Sequence, residues 1–359
     1  MKKNIIHVVE STATGTLSMI KVLANEQSKQ GHKVTIVYSK RPETPSNISD
    51  LFLTEIQLIN LQMSGIKNKL LTIFRLRKIV ESNSTGCVFL HSSFAGFIGR
   101  IALLGIDVRC FYIPHCISFM RKDINKIQKQ VFIFLEWLGS IKKCDYIACS
   151  ESEKVEIQKY IPFRETHLVE NAVDTVLWSN QLPWLERKNQ VITVGQIRLQ
   201  KNPEHFAEIC RLSKSLNLGF DFLWVGDGDD LKAKDLLKNA GVNVLGWKKP
   251  DEVRKLLSES KIYLSTALWE GLPVSPIEAM LSGCVALLSD CAGNRDIILN
   301  EENGFSFTNS EQAVAVLNRI QNDETLGLNI SSAGEQHAKN HFNLERYIVE
   351  MNRLIDKDK

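Results

Sequence analysis

Ten short apolar runs, each four to six residues long, recur along the 359-residue chain with helix-length segments between them. Short, continuous apolar runs are what strands buried on both faces require. Alternating with helical patterns, they predict parallel sheets covered by helices on both sides. In the first half the runs are Ile5–Val9, Val34–Tyr38, Val88–His91, Val108–Ile113 and Tyr146–Cys149. In the second half they are Val191–Val194, Phe222–Val225, Val242–Leu245, Ile262–Ser265 and Val285–Ser289. A chain this long exceeds one typical core, so two doubly wound α/β domains are expected, over 1–170 and 171–340. The stretch Asn171–Asn189, with Pro183 and little periodicity, reads as the linker, and 341–359 as a terminal helix (Leu344–Ile355) crossing back to the first domain. Gly31 closes the helix after the first strand. Two such domains would place the loops at their C-terminal strand ends on either side of a cleft.

Several function classes drop out on composition. No apolar run approaches the roughly 20 residues needed to cross a bilayer. The opening Met-Lys-Lys-Asn-Ile-Ile-His-Val-Val-Glu ends without a small-residue cleavage site and reads as a first strand, not a signal peptide. Eight cysteines without a CxxC pair fit reduced thiols and a cytoplasmic location, not a disulfide framework or a zinc site. Neither half carries a full G-x-G-x-x-G fingerprint or a nucleic-acid motif. The net charge of +3 hides an asymmetry: residues 1–170 hold 23 Lys+Arg against 15 Asp+Glu, and 171–359 hold 21 against 26. The first half, at +8, suits an anionic partner such as a membrane surface or a lipid phosphate; a chance surface bias explains the charge equally well.

The segment richest in chemistry runs from Leu268 to Gly283, Leu-Trp-Glu-Gly-Leu-Pro-Val-Ser-Pro-Ile-Glu-Ala-Met-Leu-Ser-Gly. Ser275, Pro276 and Glu278 have the spacing of a capping box, which alone accounts for Glu278. Glu270 has no such structural explanation. It follows a strand and precedes a helix N-terminus, where free N–H groups favour anions. Asp227-Gly-Asp-Asp230 mimics a metal-binding DxD, but a position after a strand and before a helix favours Asp as a cap. His7, inside an apolar strand, reads as a core residue. His91 precedes Ser92-Ser93, where acceptor lining and helix capping explain the polarity equally.

Glu270 and Glu278, eight apart in an EGLP…EAM…G frame, resemble the E-x7-E signature of the retaining glycosyltransferases of family four, whose two Rossmann-like domains form the GT-B fold. Further pieces follow in that family's order. Gly195-Gln-Ile-Arg-Leu-Gln-Lys201-Asn-Pro203 is similar to its phosphate segment, Gly226-Asp-Gly228 to its G-x-G turn, and Ala292-Gly-Asn294 to its later glycine loop. Leu245-Gly246-Trp247 looks like the stretch near the base. Ala13-Thr-Gly15-Thr16 resembles its first phosphate loop, Ile113-Pro-His115 its cleft histidine, and Glu170-Asn-Ala-Val-Asp174 its N-G-V-D linker.

The resemblance implies a role for each position. Glu278 would hold the donor ribose, Glu270 with Gly271 and Leu272 the transferred sugar, Lys201 the diphosphate, and Gly246 and Trp247 the base. Gly15 and Thr16 would offer amides to phosphate, and His115 would contact the sugar or acceptor at the reacting centre. Gln196 stands where the family has an arginine, and Arg198 would take its place. The same-face attack of such enzymes needs no protein nucleophile, no metal and no cofactor. The expected donor is a nucleotide-diphosphate sugar, a UDP-sugar by preference, and the acceptor a glycan or lipid-diphosphate-linked glycan in surface polysaccharide assembly. A silent sugar-binding partner and a nucleotide-sugar epimerase are the alternatives.

On the acceptor side, Ile66–Val80 combines five Lys/Arg with apolar residues at helical spacing. It reads equally as a helix packed on the first sheet or as one touching anionic lipid at the inner membrane face, with Phe119–Lys122 and Phe132–Leu138 extending that face.

Overall fold

A computed structural model describes residues 2–357, except 11, 13, 42, 43, 64 and 179–181, and leaves the side chains of 14 and 66–69 undescribed. The chain forms two compact units, Met1–Asn171 with Tyr347–Lys359, and Ala172–Arg346. The first contains β1 (Asn4–Val9), α1 (Thr14–Lys29), β2 (Lys33–Tyr38), β3 (Gln57–Asn60), α2 (Ile66–Ser82), β4 (Cys87–His91), α3 (Ser93–Ala102), β5 (Arg109–Ile113), α4 (Lys126–Gly139), β6 (Asp145–Ala148), α5 (Glu151–Tyr160) and β7 (Thr166–Leu168). The second contains β8 (Lys188–Val194), α6 (Pro203–Ser215), β9 (Asp221–Val225), α7 (Leu231–Asn239), β10 (Asn243–Gly246), α8 (Pro250–Glu259), β11 (Ser260–Ser265), α9 (Val274–Leu281), β12 (Val285–Ser289), β13 (Phe305–Phe307), α10 (Ser310–Asn322) and α11 (Glu324–His341). The final helix, α12 (Leu344–Asp356), ends on the first sheet, where Lys3 Nζ and Arg109 Nη1 both donate to the Ile355 carbonyl.

The first sheet is parallel with order β3-β2-β1-β4-β5-β6-β7, and the second with order β10-β9-β8-β11-β12-β13. The strand order reverses between β1 and β4 in one sheet and between β8 and β11 in the other. In doubly wound sheets, ligands bind beyond the C-terminal strand ends at that reversal. Each expected strand is present. Three short edge strands, β3, β7 and β13, have no counterpart in the ten apolar runs. The linker reading is corrected in part: β8 begins at Lys188, and Trp184 is buried in the second core, where Gly327 of α11 makes room for its ring.

Gly31, with φ of 85°, follows α1 as expected. The buried face of α2 includes Thr72, Leu76 and Val80, whereas Leu70, Leu71 and Phe74 stand in solvent. Phe119 and Met120 are buried beneath a short 3-10 turn, so they add nothing to a surface face. Among the described residues no helix is long and apolar enough to cross a membrane.

Candidate active site

In the second unit the chain leaves β8 at Val194 and is at once tied to its neighbours. Gly195 N donates to Val225 O at 2.9 Å, Ile197 N to Asp227 O at 2.9 Å, and Trp224 Nε1 to Gly195 O at 2.9 Å. This approach requires Gly226, because a Cβ there would lie 2.1 Å from the Gly195 carbonyl oxygen. A single 3-10 turn, Leu199–Lys201, leads to Asn202 at φ 50°, whose side chain caps α6 ahead of Pro203. The turn is then held from the β11 side: Leu268 N donates to Gln200 O at 2.9 Å, and Thr266 Oγ1 to Lys201 O at 2.8 Å.

That stitching brings Lys201 and Glu270 together across the β8–β11 reversal. Lys201 Nζ lies 2.8 Å from Glu270 Oε1 as a close ion pair that is not aligned as a hydrogen bond. Gln200 Nε2 donates to Glu270 Oε2 at 3.1 Å and to Trp269 O at 2.9 Å. Burial works against the charge on Lys201, but Glu270 outweighs it, so the ammonium titrates above its ordinary range. Glu270 N donates to Ala292 O at 3.0 Å, and a Cβ on Gly293 would sit 2.6 Å from Gly271 O. The 268–272 and 292–294 loops therefore pack backbone to backbone, with Leu272 buried beneath them. Gly246 O accepts from Gly226 N at 2.9 Å, while Trp247 is exposed. Arg198 is exposed and unpaired among the described residues, yet near enough for its charge to oppose that of Lys201.

The capping box at Glu278 is not formed. Helix α9 starts at Val274 behind Pro273 with no side-chain cap, and Ser275 Oγ accepts instead from Tyr263 Oη at 2.9 Å. Glu278 is left half-buried, its carboxylate without a hydrogen-bond or ion-pair partner among the described residues, and loss of water pushes that carboxyl up to about 8. The structural explanation for this residue thus disappears. The acidic run at 227–230 is used locally, as the capping argument requires: Asp230 accepts from Ala233 N at α7, and Asp227 pairs with Lys234 at 2.5 Å.

In the first unit Gly15 and Thr16 lie in the opening turn of α1, directly after β1, so they are helix-start residues and not a loop. Their segment includes Ala13, outside the described residues. His115 follows β5 in a left-handed conformation, φ 55°, with Cys116 at φ 98°. This uncommon backbone is pinned by a buried carboxylate, for Glu153 Oε1 accepts from Cys116 N and Ile117 N, and Oε2 from Cys149 N, each at 2.8 Å. Burial raises the Glu153 carboxyl against those three donors. His115 Nε2 lies 3.1 Å from His91 Nδ1, so the buried His91 ring packs behind His115; the Ser92 side chain makes no cap bond. The sequence reading passed over Glu153 and Gln200. The signals were their places three residues after the capping Ser150 and next to Lys201.

The family model described as "Glycosyltransferase Family 4" matches residues 14–177, and that described as "Glycosyl transferases group 1" matches 175–337. An Escherichia coli UDP-Gal:alpha-D-GlcNAc-diphosphoundecaprenol alpha-1,3-galactosyltransferase is 27% identical over 79% of this chain and 78% of its own. The O-antigen biosynthesis glycosyltransferase WbnH of Escherichia coli is 29% identical over 72% and 75%. Among solved structures, Anabaena Alr3699/HepE in complex with UDP and glucose superimposes with a TM-score of 0.83 at 14% identity, covering 99% of this chain and 100% of that one. The Lys201–Glu270 ion pair thus sits in a chain whose two halves each match a glycosyltransferase model, and the protein belongs to the family-four glycosyltransferases of GT-B fold.

Proposed function

We propose that the protein transfers a hexose-type sugar from a UDP-sugar, with retention at the anomeric carbon, to a lipid-diphosphate-linked glycan. The observation that carries this reading is the Lys201–Glu270 pair at the β8–β11 reversal. A leaving diphosphate needs a fixed cation, and a sugar hydroxyl needs a fixed carboxylate. Glu278, unpartnered and half-buried, is the complementary site for ribose, with Gly271–Leu272 beside the sugar and Gly246–Trp247 toward the base. In this reading Gly15 and Thr16, in the first turn of α1, offer amides to phosphate, and His115, after β5, meets the sugar or acceptor. The 27% identical Escherichia coli galactosyltransferase, which by its name takes UDP-Gal and a diphosphoundecaprenol acceptor, supports a UDP-sugar donor and a lipid-diphosphate acceptor. With Lys201, Arg198 and helix N-termini supplying positive charge, the reaction proceeds without a metal, and turnover in excess EDTA should be unchanged. A panel of UDP-sugars offered with a polyprenyl-diphosphate GlcNAc acceptor tests the reading, with the anomeric configuration read by NMR. Binding without turnover of any of them, or an inverted product, would overturn it.

The acceptor reading also gains a surface. On α4, Ile127, Val131, Phe134, Leu138 and, just beyond its end, Ile141 recur at helical spacing, and all are exposed, with Trp137 beside them. Exposed Lys122, Lys126 and Lys143 flank the stripe. Such a face suits a bilayer with anionic headgroups, each lysine contributing about 1 kcal/mol. Association at the inner membrane face is therefore proposed through α4, with α2 beside α3 as its neighbour. Co-sedimentation with phosphatidylglycerol vesicles at low salt should fall at least about tenfold in Ile127→Ser/Phe134→Ser/Ile141→Ser. Equal binding by that variant would remove α4 from the reading.

A further inference from the structure

Behind His115 the first unit contains a line of buried polar side chains that no catalytic role has yet used. His91, at the end of β4, donates to or accepts from His115 through Nδ1 and meets His7 of β1 through Nε2, at 3.1 and 3.0 Å. His7 Nε2 in turn lies 2.7 Å from Oε1 of Gln27 on α1. The three rings are stacked, His7 on His91 at 5.3 Å between centroids and His91 on His115 at 5.4 Å, with the Phe89 ring alongside at 5.0 Å from His7 and 6.5 Å from His91. His7, His91 and Gln27 are each no more than 1% exposed. His7 and His91 lie on the neighbouring strands β1 and β4, His115 just beyond β5 and Gln27 on α1, so the line is a product of the β1-β4-β5 strand order and not of local sequence.

Burial lowers all three imidazoles, His7 and His115 to about 4 and His91 also well below its ordinary value, so the line is uncharged at neutral pH. A neutral imidazole has one N–H and one bare nitrogen. In an unbroken line of such rings every donor must face an acceptor, so the group at one end dictates the tautomer at the other. The Gln27 carbonyl oxygen only accepts. His7 then carries its proton on Nε2 and accepts through Nδ1 from His91 Nε2. His91 accepts through Nδ1 from His115 Nε2, and the bare nitrogen of His115 is Nδ1. The Gln27 amide nitrogen is left buried with no partner among the described residues, so an unsatisfied donor is tolerated to keep the carbonyl on His7. An amide turned end for end would reverse every bond and leave His115 Nδ1 a donor.

We infer that Gln27, through His7 and His91, is a positioning residue that fixes His115 as the Nε2-protonated tautomer, presenting Nδ1 as a hydrogen-bond acceptor. Such a nitrogen accepts from a sugar or acceptor hydroxyl and does not donate to an oxyanion. This rests on the placement of His115 at the reacting centre under the proposed function. Histidine-selective nitrogen labelling of the full chain tests it by NMR, the His115 signals being assigned by their loss in His115→Asn. The wild type should show His115 with Nε2 protonated and Nδ1 bare. Gln27→Met, of similar length but without the acceptor, should give a mixture of both tautomers, and His91→Phe, which keeps the stack but cuts the line, should do the same. A wild-type His115 protonated on Nδ1, or a single unchanged tautomer in either folded variant, would overturn the inference. Turnover separates the two readings. Gln27→Met should lower kcat about tenfold with donor KM nearly unchanged. A tautomer mixture with unaltered kcat would support control by Gln27 while removing His115 from the reacting centre.

Discussion

Lys201→Ala is expected to lower kcat by about 100- to 1,000-fold, the usual loss when one fixed group facing developing charge is removed. Lys201 is the cation anchored most firmly in the donor crevice: its carbonyl accepts from Thr266, its turn is capped by Asn202, and its ammonium faces Glu270 at 2.8 Å. The flanking arginine cannot substitute at equal effect, because Arg198 is exposed and unfixed. Removing the lysine also strands Glu270, which keeps only the Gln200 amide. The two changes should therefore not be additive: Lys201→Ala/Glu270→Gln should lose much less than the product of the single losses. Steady-state kinetics with the active UDP-sugar measures both, and circular dichroism checks the fold. Turnover within threefold of wild type in Lys201→Ala would remove the lysine from the diphosphate role.

The largest expected effect on stability lies elsewhere, in a buried ion pair of the first unit. Arg100 on α3 is fully buried. Its guanidinium donates to Glu136 Oε2 at 2.7 Å, to Tyr146 Oη at 2.6 Å and to Gly96 O at 2.9 Å, while stacking over the Tyr112 ring at 4.4 Å. Tyr112 and Tyr146 both donate to the same Glu136 carboxylate at 3.1 Å. Glu136→Ala leaves an uncompensated guanidinium in the core, which costs about 3–5 kcal/mol. In a unit of this size that corresponds to a melting shift of roughly 10 °C. Replacing the pair together, as Arg100→Met/Glu136→Leu, should recover most of the loss, because two apolar groups strand no charge. Urea titration of the three proteins decides it. A single-variant loss below about 1 kcal/mol would mean that the pair contributes little.

What the sequence made legible follows burial. Nine of the ten expected strands lie inside their sheets and are apolar because both faces are covered, so their pattern could be read directly; β10 is the one edge strand among them. The missed strands are all at sheet edges: β3 (Gln57–Asn60) is half polar and partly exposed, and β7 and β13 have three residues each. The candidate donor segment was legible because its polar residues cluster along the chain, although local spacing assigned Glu278 to a cap that is not formed, Ser275 Oγ accepting from Tyr263 instead. The histidine line was not. Gln27, His7, His91 and His115 are separated by up to 84 residues between bonded neighbours, and only the strand order brings them together. His7 is a core residue, as the apolar run predicted, but one with both nitrogens engaged. The exposed apolar stripe on α4 was underread because its positions alternate with the buried Ile133 and Glu136, which mask the exposed face in a linear reading.

The backbone-to-backbone contact at Gly226 bears on the thermodynamics of donor capture. A turn already locked by main-chain bonds to the neighbouring strands has little conformational freedom left to surrender when a ligand arrives. Association with the nucleotide sugar should therefore carry only a small ordering entropy from this turn, with most of the heat-capacity change coming from the surface the ligand itself covers. A side chain at Gly226 would forfeit that advantage by pushing the Gly195 carbonyl out of place.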